Sequence, residues 1–258
     1  MGIRLKSKEE IAIMKEGGAK HGRILRELAS LVEPGISTLT LEEEALRLIR
    51  EAGLRPAHLG YTPHGAKRPF PAALCISIND EIVHGIPTEN IRVLNQGDVV
   101  AIDLSVWHKE LVTDSAITVP VGQIDDEAIK LLQVTQEALQ AGIEAAKPGN
   151  TIGDIGEAIS DVVEASGFSI AADLAGHGVG FELHEEPFVP NYGIAGSGER
   201  LVAGMVIAIE PMVNVGKGDI KVLPDGYTIV TKDGSRSAHF EHTIAIIEKG
   251  NIILTSND

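Results

Sequence analysis

Apolar residues at Ile11, Met14, Ile24, Leu25, Leu28 and Leu31 recur at helical spacing behind a Ser7/Glu10 capping pattern, predicting a helix over 8–32. Gly17-Gly18 predicts a weak point or kink within it. Pro34-Gly35 stops that helix, and Thr40 with Glu43 opens a second, whose Leu41, Ala45, Leu48 and Ile49 share a face until Gly53. Turn formers make 58–71 a loop. Residues 73–78 and 81–84 read as short strands around Asn79-Asp80, and 97–106 as a buried strand paired with 111–119. Helical spacing then returns twice, over 125–146 and 154–165, with Pro148-Gly149 and Gly167 as stops. From Ser169 onward the pattern is short β segments and turns. There Lys232-Asp233-Gly234 predicts a hairpin with 227–231 and 238–247 as its arms.

The order of features repeats. Pro34-Gly35 and Gly53 return as Pro148-Gly149 and Gly167, both 114 residues on. Val99-Val100-Ala101-Ile102-Asp103 returns as Val206-Ile207-Ala208-Ile209-Glu210 at an offset of 107, and Val83-His84 before Pro87 returns as Leu183-His184 before Pro187 at 100. Matches this short arise by chance, but their shared order (helix, helix, His segment, acid-tipped strand) predicts a duplicated helix-helix-sheet unit. The fold class expected is α/β, of the α+β kind, as one domain over 1–258 with halves of about 7–122 and 123–250. A pseudo-twofold between them would set Asp103 against Glu210 and His84 against His184 across one cleft.

At 258 residues the chain can bury a full core. A formal charge of −15, from 37 acids against 22 Lys plus Arg, speaks against nucleic acid or an anionic membrane surface as a direct partner. The single Cys75 excludes an intramolecular disulfide and suits a reducing compartment. No apolar run approaches the roughly 20 residues of a membrane span, and the first ten residues hold no signal-peptide core. These features predict a soluble cytoplasmic protein.

The chemistry concentrates in Gly176-His177-Gly178-Val179-Gly180-Phe181-Glu182-Leu183-His184-Glu185-Glu186-Pro187, where two histidines stand seven residues apart in a segment that can bend. Acids close the flanking apolar runs at Asp103 and Glu210; Asp114 follows eleven residues after Asp103, and Glu241 sits in His239-Phe240-Glu241-His242-Thr243. Singly, each has an ordinary reading as a turn acid or structural histidine. Asp103 differs because apolar residues continue through Leu104 and Val106, carrying its charge into a buried strand where an unpaired carboxylate is costly. Four clustered carboxylates repel one another. Two divalent cations would cancel their charge, with neutral His177 adding a nitrogen ligand, in an oxygen-rich site suited to Mn, Fe, Co, Zn or Ni. Such a pair activates water and polarises a carbonyl, which is the chemistry of amide or ester hydrolysis. His239 should share a strand face with Glu241, while His21, His58, His64, His108 and His242 read as structural.

The same residues carry a family likeness. Cys75-Ile76-Ser77-Ile78-Asn79-Asp80 with His84-Gly85-Ile86-Pro87, the Asp103/Asp114 pair, Gly176 to Pro187, Ile209-Glu210-Pro211-Met212 and Asp225-Gly226-Tyr227 leading to Glu241-His242-Thr243 resemble type 1 methionine aminopeptidases over about 7–247. The 33 residues from His177 to Glu210 leave no room for the helical insertion of the type 2 enzymes, and no N-terminal zinc-binding extension is expected. The resemblance implies a pita-bread fold, two divalent cations per chain, and release of the initiator methionine from nascent proteins whose second residue is small. It also implies a monomer working near the ribosome.

By that resemblance Asp103 chelates one cation, His177 and Glu210 the other, and Asp114 and Glu241 bridge them. Glu210 serves as base, His184 stabilises the tetrahedral intermediate, and His84 assists at the scissile nitrogen. Tyr61, Phe70, Cys75, Leu183 and Tyr227 line the methionine pocket. The family commonly has an aromatic in place of Leu183, Trp in place of Tyr227, Gln in place of His239 and Gly in place of Thr113, and the loop over 62–68 is longer here. The rivals are an Xaa-Pro peptidase, which shares the fold and the acid-and-His set, and a non-catalytic pita-bread binding protein.

Overall fold

The structure is a computed structural model that describes residues 2–63 and 65–256. His64 therefore lies outside the described residues. Two helix pairs back onto the sheets: α1 (Lys8–Ser30) with α2 (Thr38–Glu51), and α3 (Asp126–Ala145) with α4 (Ile152–Ser166). At the head of α1 the Ser7 hydroxyl accepts the Glu10 N–H at 3.1 Å and the Glu10 carboxylate accepts the Ser7 N–H at 2.7 Å, the reciprocal cap that the sequence predicts. Gly17-Gly18 does not break this helix. A Cβ at Gly18 would sit 2.1 Å from the Leu254 carbonyl oxygen, so glycine there permits a close crossing of the chain's last strand segment. Helix α2 begins earlier than expected, because Ser37 rather than Thr40 caps it, its hydroxyl accepting the Thr40 N–H at 3.0 Å. Likewise α4 begins at Ile152, with Thr151 as cap and its N–H bonded to the Asp154 carboxylate.

The first sheet is built on the long hairpin of Val99–His108 with Leu111–Pro120, and the other edge of Val99–His108 pairs with Leu74–Ile78 and Arg55–Pro56, all antiparallel. The second has five strands in the spatial order Gly250–Ile253, His242–Ile247, Val206–Ile209, Ala175–Gly178 and Glu185–Pro190. Two three-stranded sheets complete the fold. One joins Ser237–His239, Met212–Asn214 and Ser169–Ile170, and the other joins Ile220–Val222, Ile229–Thr231 and Glu81–Val83. The expected hairpin around Lys232-Asp233-Gly234 is not formed. The chain turns there, but Ile229–Thr231 pairs with Ile220–Val222 and Glu81–Val83, while Ser237–His239 and His242–Ile247 enter two further sheets. A turn signal fixes where the chain reverses and leaves the pairing to packing.

One apolar core lies under α1 and α2, around Leu28, Leu41, Ile76 and Ile102. The other lies under α3 and α4, around Ile155, Ile159, Ile207 and Ile244. Ile117 packs against both. Side chains stitch the two across Leu111–Pro120. The Thr243 hydroxyl donates to the Asp114 carbonyl at 2.7 Å while accepting the Asp114 N–H at 2.9 Å, and the Ser115 hydroxyl donates to the Glu241 carbonyl at 2.7 Å. Among the described residues no helix is long and apolar enough to cross a membrane.

Candidate metal centre

Strand register builds the first half of the site. Cys75 pairs with Asp103, Asp103 with Ala116, and Ser105 with Asp114, so Cys75, Asp103, Ser105 and Asp114 project from one face of the first sheet. The Ser105 hydroxyl donates to Asp114 Oδ1 at 2.7 Å. Glu241 stands in the break between Ser237–His239 and His242–Ile247, and its N–H donates to the Ala116 carbonyl at 3.0 Å, which brings it to the same face.

The second half comes from the five-stranded sheet. His177 lies in Ala175–Gly178 and Glu210 follows Val206–Ile209 directly. The glycine after His177 is dictated by crowding, since a Cβ at Gly178 would sit 2.2 Å from the Glu186 carbonyl oxygen. His177 Nδ1 donates to the Gly178 carbonyl at 2.9 Å, which leaves Nε2 with its lone pair, 3.5 Å from Glu210 Oε1 and 3.8 Å from Asp114 Oδ2.

The structure thus brings together all five sequence-predicted ligands. Asp103 is 7% exposed, Asp114 4% and Glu241 2%. Burial pushes the carboxyls of Asp103, Glu210 and Glu241 well above the usual range, and repulsion from Asp114 adds to it. Burial also raises Asp114 to about 7, against the hydrogen bonds from Ser105 and Ser115 that favour its anion. Asp103 Oδ1 and Glu241 Oε1 are buried with no hydrogen-bond partner, and ligand atoms of Asp114, His177 and Glu241 lie within 4.8 Å of one another. Orphaned carboxylate oxygens converging with an imidazole lone pair are the donor set a divalent cation completes, so the residues fit the metal.

His84 and His184 both line the cleft above these acids, an opening of about 510 Å³. Burial holds both imidazoles neutral, near 4 for His84 and about 2 for His184. His184 Nδ1 is 2.7 Å from the Tyr61 hydroxyl, and its ring meets His177 edge to face at 4.3 Å. A side pocket of about 100 Å³ opens from the same acids and is lined by Tyr61, Phe70, Cys75 and Tyr227. Phe70 and Tyr227 pack edge to face at 5.1 Å. Leu183 is placed differently from expectation. It is 2% exposed and sits in the cluster of Met14, Ala57, Val112 and Val179, against which the pocket residue Tyr61 packs. His58, read from sequence as structural, lines the pocket instead. His239 reaches the cleft too, its Nε2 3.5 Å from Glu210 Oε2 and both ring nitrogens without a hydrogen-bond partner. Only the strand alternation with Glu241 pointed to it.

Lys6 fastens this assembly to the chain's start. Its Nζ lies 2.6 Å from Glu185 Oε2 in a pair whose side chains are 1% and 4% exposed, while Glu185 Oε1 accepts the Phe181 and Glu182 N–H groups.

A fold of paired helices over antiparallel sheets, with a carboxylate and histidine centre at their junction, matches the model of metallopeptidase family M24 over residues 12–248; the chain belongs to that family. Its relatives include methionine aminopeptidases. The chain is 47% identical to the methionine aminopeptidase of Aquifex aeolicus over 257 residues, 99% of each chain. It is 46% identical to methionine aminopeptidase 1 of Bacillus subtilis over 253 residues, 98% of this chain and 99% of that one. The crystal structure of the Thermotoga maritima methionine aminopeptidase superposes with a TM-score of 0.93 at 42% identity, covering 99% of this chain and 100% of that one. The prolidase of Pyrococcus furiosus, at 22% identity and a TM-score of 0.74 over 98% of this chain and 66% of its own, shares the fold. The fold is the expected pita-bread fold.

Proposed function

We propose that the chain is a metal-dependent methionyl aminopeptidase that removes the initiator methionine from nascent proteins and peptides whose second residue is small. The observation that carries this reading is the convergence of Asp103, Asp114, His177, Glu210 and Glu241 beside an aromatic and thiol-lined side pocket, in a chain 47% identical to a methionine aminopeptidase. Asp103 would hold one cation, His177 and Glu210 a second, and Asp114 and Glu241 both. Two divalent cations there (Co, Mn, Fe, Zn or Ni) would supply an acidified water and a polarised carbonyl.

The chain's own groups supply the rest. Glu210 takes the proton of the attacking water, and a protonated Glu210 can return it to the leaving amine. His184, with Nδ1 held by the Tyr61 hydroxyl, presents Nε2 to the substrate's carbonyl oxygen as charge develops on it. His84 stands at the scissile nitrogen. Tyr61, Phe70, Cys75 and Tyr227 enclose the thioether side chain, for which aromatic edges and a thiol are favourable neighbours. The substrate's free α-amino group would occupy a coordination position near Asp103, so a blocked N-terminus would make a poor substrate.

The protein would act as a cytoplasmic monomer on chains emerging at the ribosome. Its two halves, about 7–122 and 123–250, would form a single catalytic domain, a reading supported by the two helix-backed cores. Incubating metal-reconstituted protein with Met-Ala-Ser and with Ala-Pro-Ala tests the function. Methionine release from the first alone is expected. Cleavage of the second alone would make it an Xaa-Pro peptidase, and cleavage of neither by metal-loaded protein would make it a binding module.

A further inference from the structure

We propose that His58, Cys75 and Asp103 form a soft-metal site at the base of the side pocket, sharing the Asp103 carboxylate with the acid-rich centre. A ring nitrogen of His58, the Cys75 sulfur and an Asp103 carboxylate oxygen lie within 4.8 Å of one another, and all three residues are buried. Cys75 is brought there by its register opposite Asp103. His58 arrives from the loop after Arg55–Pro56, anchored where the Ala57 N–H donates to the Ser105 carbonyl at 2.9 Å.

The ring's orientation follows from proton counting. Ser105 spends its one hydroxyl proton on Asp114 Oδ1, so its oxygen accepts from His58 Nε2, 2.7 Å away. That leaves the lone pair on Nδ1, the nitrogen facing the Cys75 sulfur at 3.9 Å. Asp103 Oδ1 is buried with no hydrogen-bond partner, so this shared carboxylate has an oxygen open to a ligand.

The donor set differs in kind from the neighbouring one. One sulfur, one nitrogen and one oxygen select Zn²⁺ or Cd²⁺ over the harder Mn²⁺, in a tetrahedral site whose fourth position faces the pocket. As the sulfur binds the ion, the thiol proton leaves to solvent and the S–H bond is replaced by a sulfur–metal bond. An ion so placed occupies space that the methionine side chain takes, a consequence that rests on the function proposed above. Excess soft metal would then act as a brake on an enzyme already holding its working ions, raising KM.

The test titrates Cd²⁺ into protein preloaded with two equivalents of Mn²⁺, following the ultraviolet thiolate-to-cadmium charge-transfer band and counting bound ions by elemental analysis. Because Cys75 is the only cysteine in the chain, the band reports this site alone. The expected result is a band saturating at one equivalent of Cd²⁺, lost in Cys75→Ser, with the midpoint shifted at least about tenfold in His58→Ala. No band, or one whose midpoint His58→Ala leaves unchanged, overturns the site; the His58 variant decides the matter if Cys75→Ser does not fold. A band with no rise in KM for Met-Ala-Ser overturns the placement in the pocket. None of the metal readouts needs turnover, so failure of the peptidase reading would be seen separately.

Discussion

His177 gives its Nδ1 proton to the Gly178 carbonyl and so turns the Nε2 lone pair toward the space among the acids, whereas His184 meets the Tyr61 phenol at Nδ1 on the lining of the cleft. The two histidines, seven residues apart, are set for different tasks by the neighbours each one meets. Asp114→Ala should therefore abolish both metal retention and turnover, while His184→Ala should retain metal and lower kcat by about 10²- to 10³-fold. Elemental analysis beside steady-state kinetics separates them, and full kcat in the His184 variant would remove its assigned role. Tyr61→Phe leaves the pocket's shape but frees the His184 ring, and a fall in kcat of about tenfold with KM little changed is expected. Asp103 was legible in the sequence because an acid inside an unbroken apolar run demands compensation. His58 was not, because the 17 residues separating it from Cys75 pass through an irregular loop with no period to read.

The hairpin of Val99–His108 and Leu111–Pro120 sets Asp103, Ser105 and Asp114 on one face, and alternation along a strand was enough to foresee that Asp103 and Asp114 belong together. Glu241 depended on more. Its segment was expected to return along 227–231, but it breaks at Phe240-Glu241 and is drawn onto Leu111–Pro120 by side-chain hydrogen bonds that strand propensity does not encode. The kink expected at Gly17-Gly18 failed for a related reason: spacing shows the missing side chains, but only packing shows what occupies their place. The Thr243 hydroxyl is the strongest of these stitches, serving both the N–H and the carbonyl of Asp114. Thr243→Val keeps the shape and leaves two buried backbone groups unpaired. It should cost about 1–3 kcal/mol in urea denaturation and loosen metal binding with it; an unchanged midpoint would assign the stitch to other contacts.

The strand Leu111–Pro120 carries both Asp114 and Ile117, the residue that packs against the two helix-backed cores, so the buried carboxylates lie close to where those cores join. Without cations that junction is self-repelling, and metal should stabilise the whole fold. Adding Mn²⁺ to chelated protein is expected to raise Tm with ion concentration, and Asp114→Ala should erase the rise. Buried histidines give the molecule a second dependence. His21 is completely buried between α1 and the hairpin, bonded through Nδ1 to the Thr113 hydroxyl at 3.0 Å, and burial lowers it from 6.5 to about 3. The unfolded chain therefore takes the proton first. His21's share of the stability is intact above pH 6.5 and is lost as pH falls from 6.5 toward 3, amounting to roughly 2 kcal/mol by pH 5. Urea midpoints of His21→Gln should fall less steeply from pH 7 to pH 5 than those of the parent chain.

The buried pair of Lys6 with Glu185 anchors the first residues beside the segment that bears His184, and Gly2 and Arg4 end up on the wall of the cleft. A segment fused ahead of Gly2 would therefore begin at the wall of that cleft. A purification handle at that end would act as a competitor for the protein's own substrate, inflating KM for longer peptides first, and clipping it off should restore them.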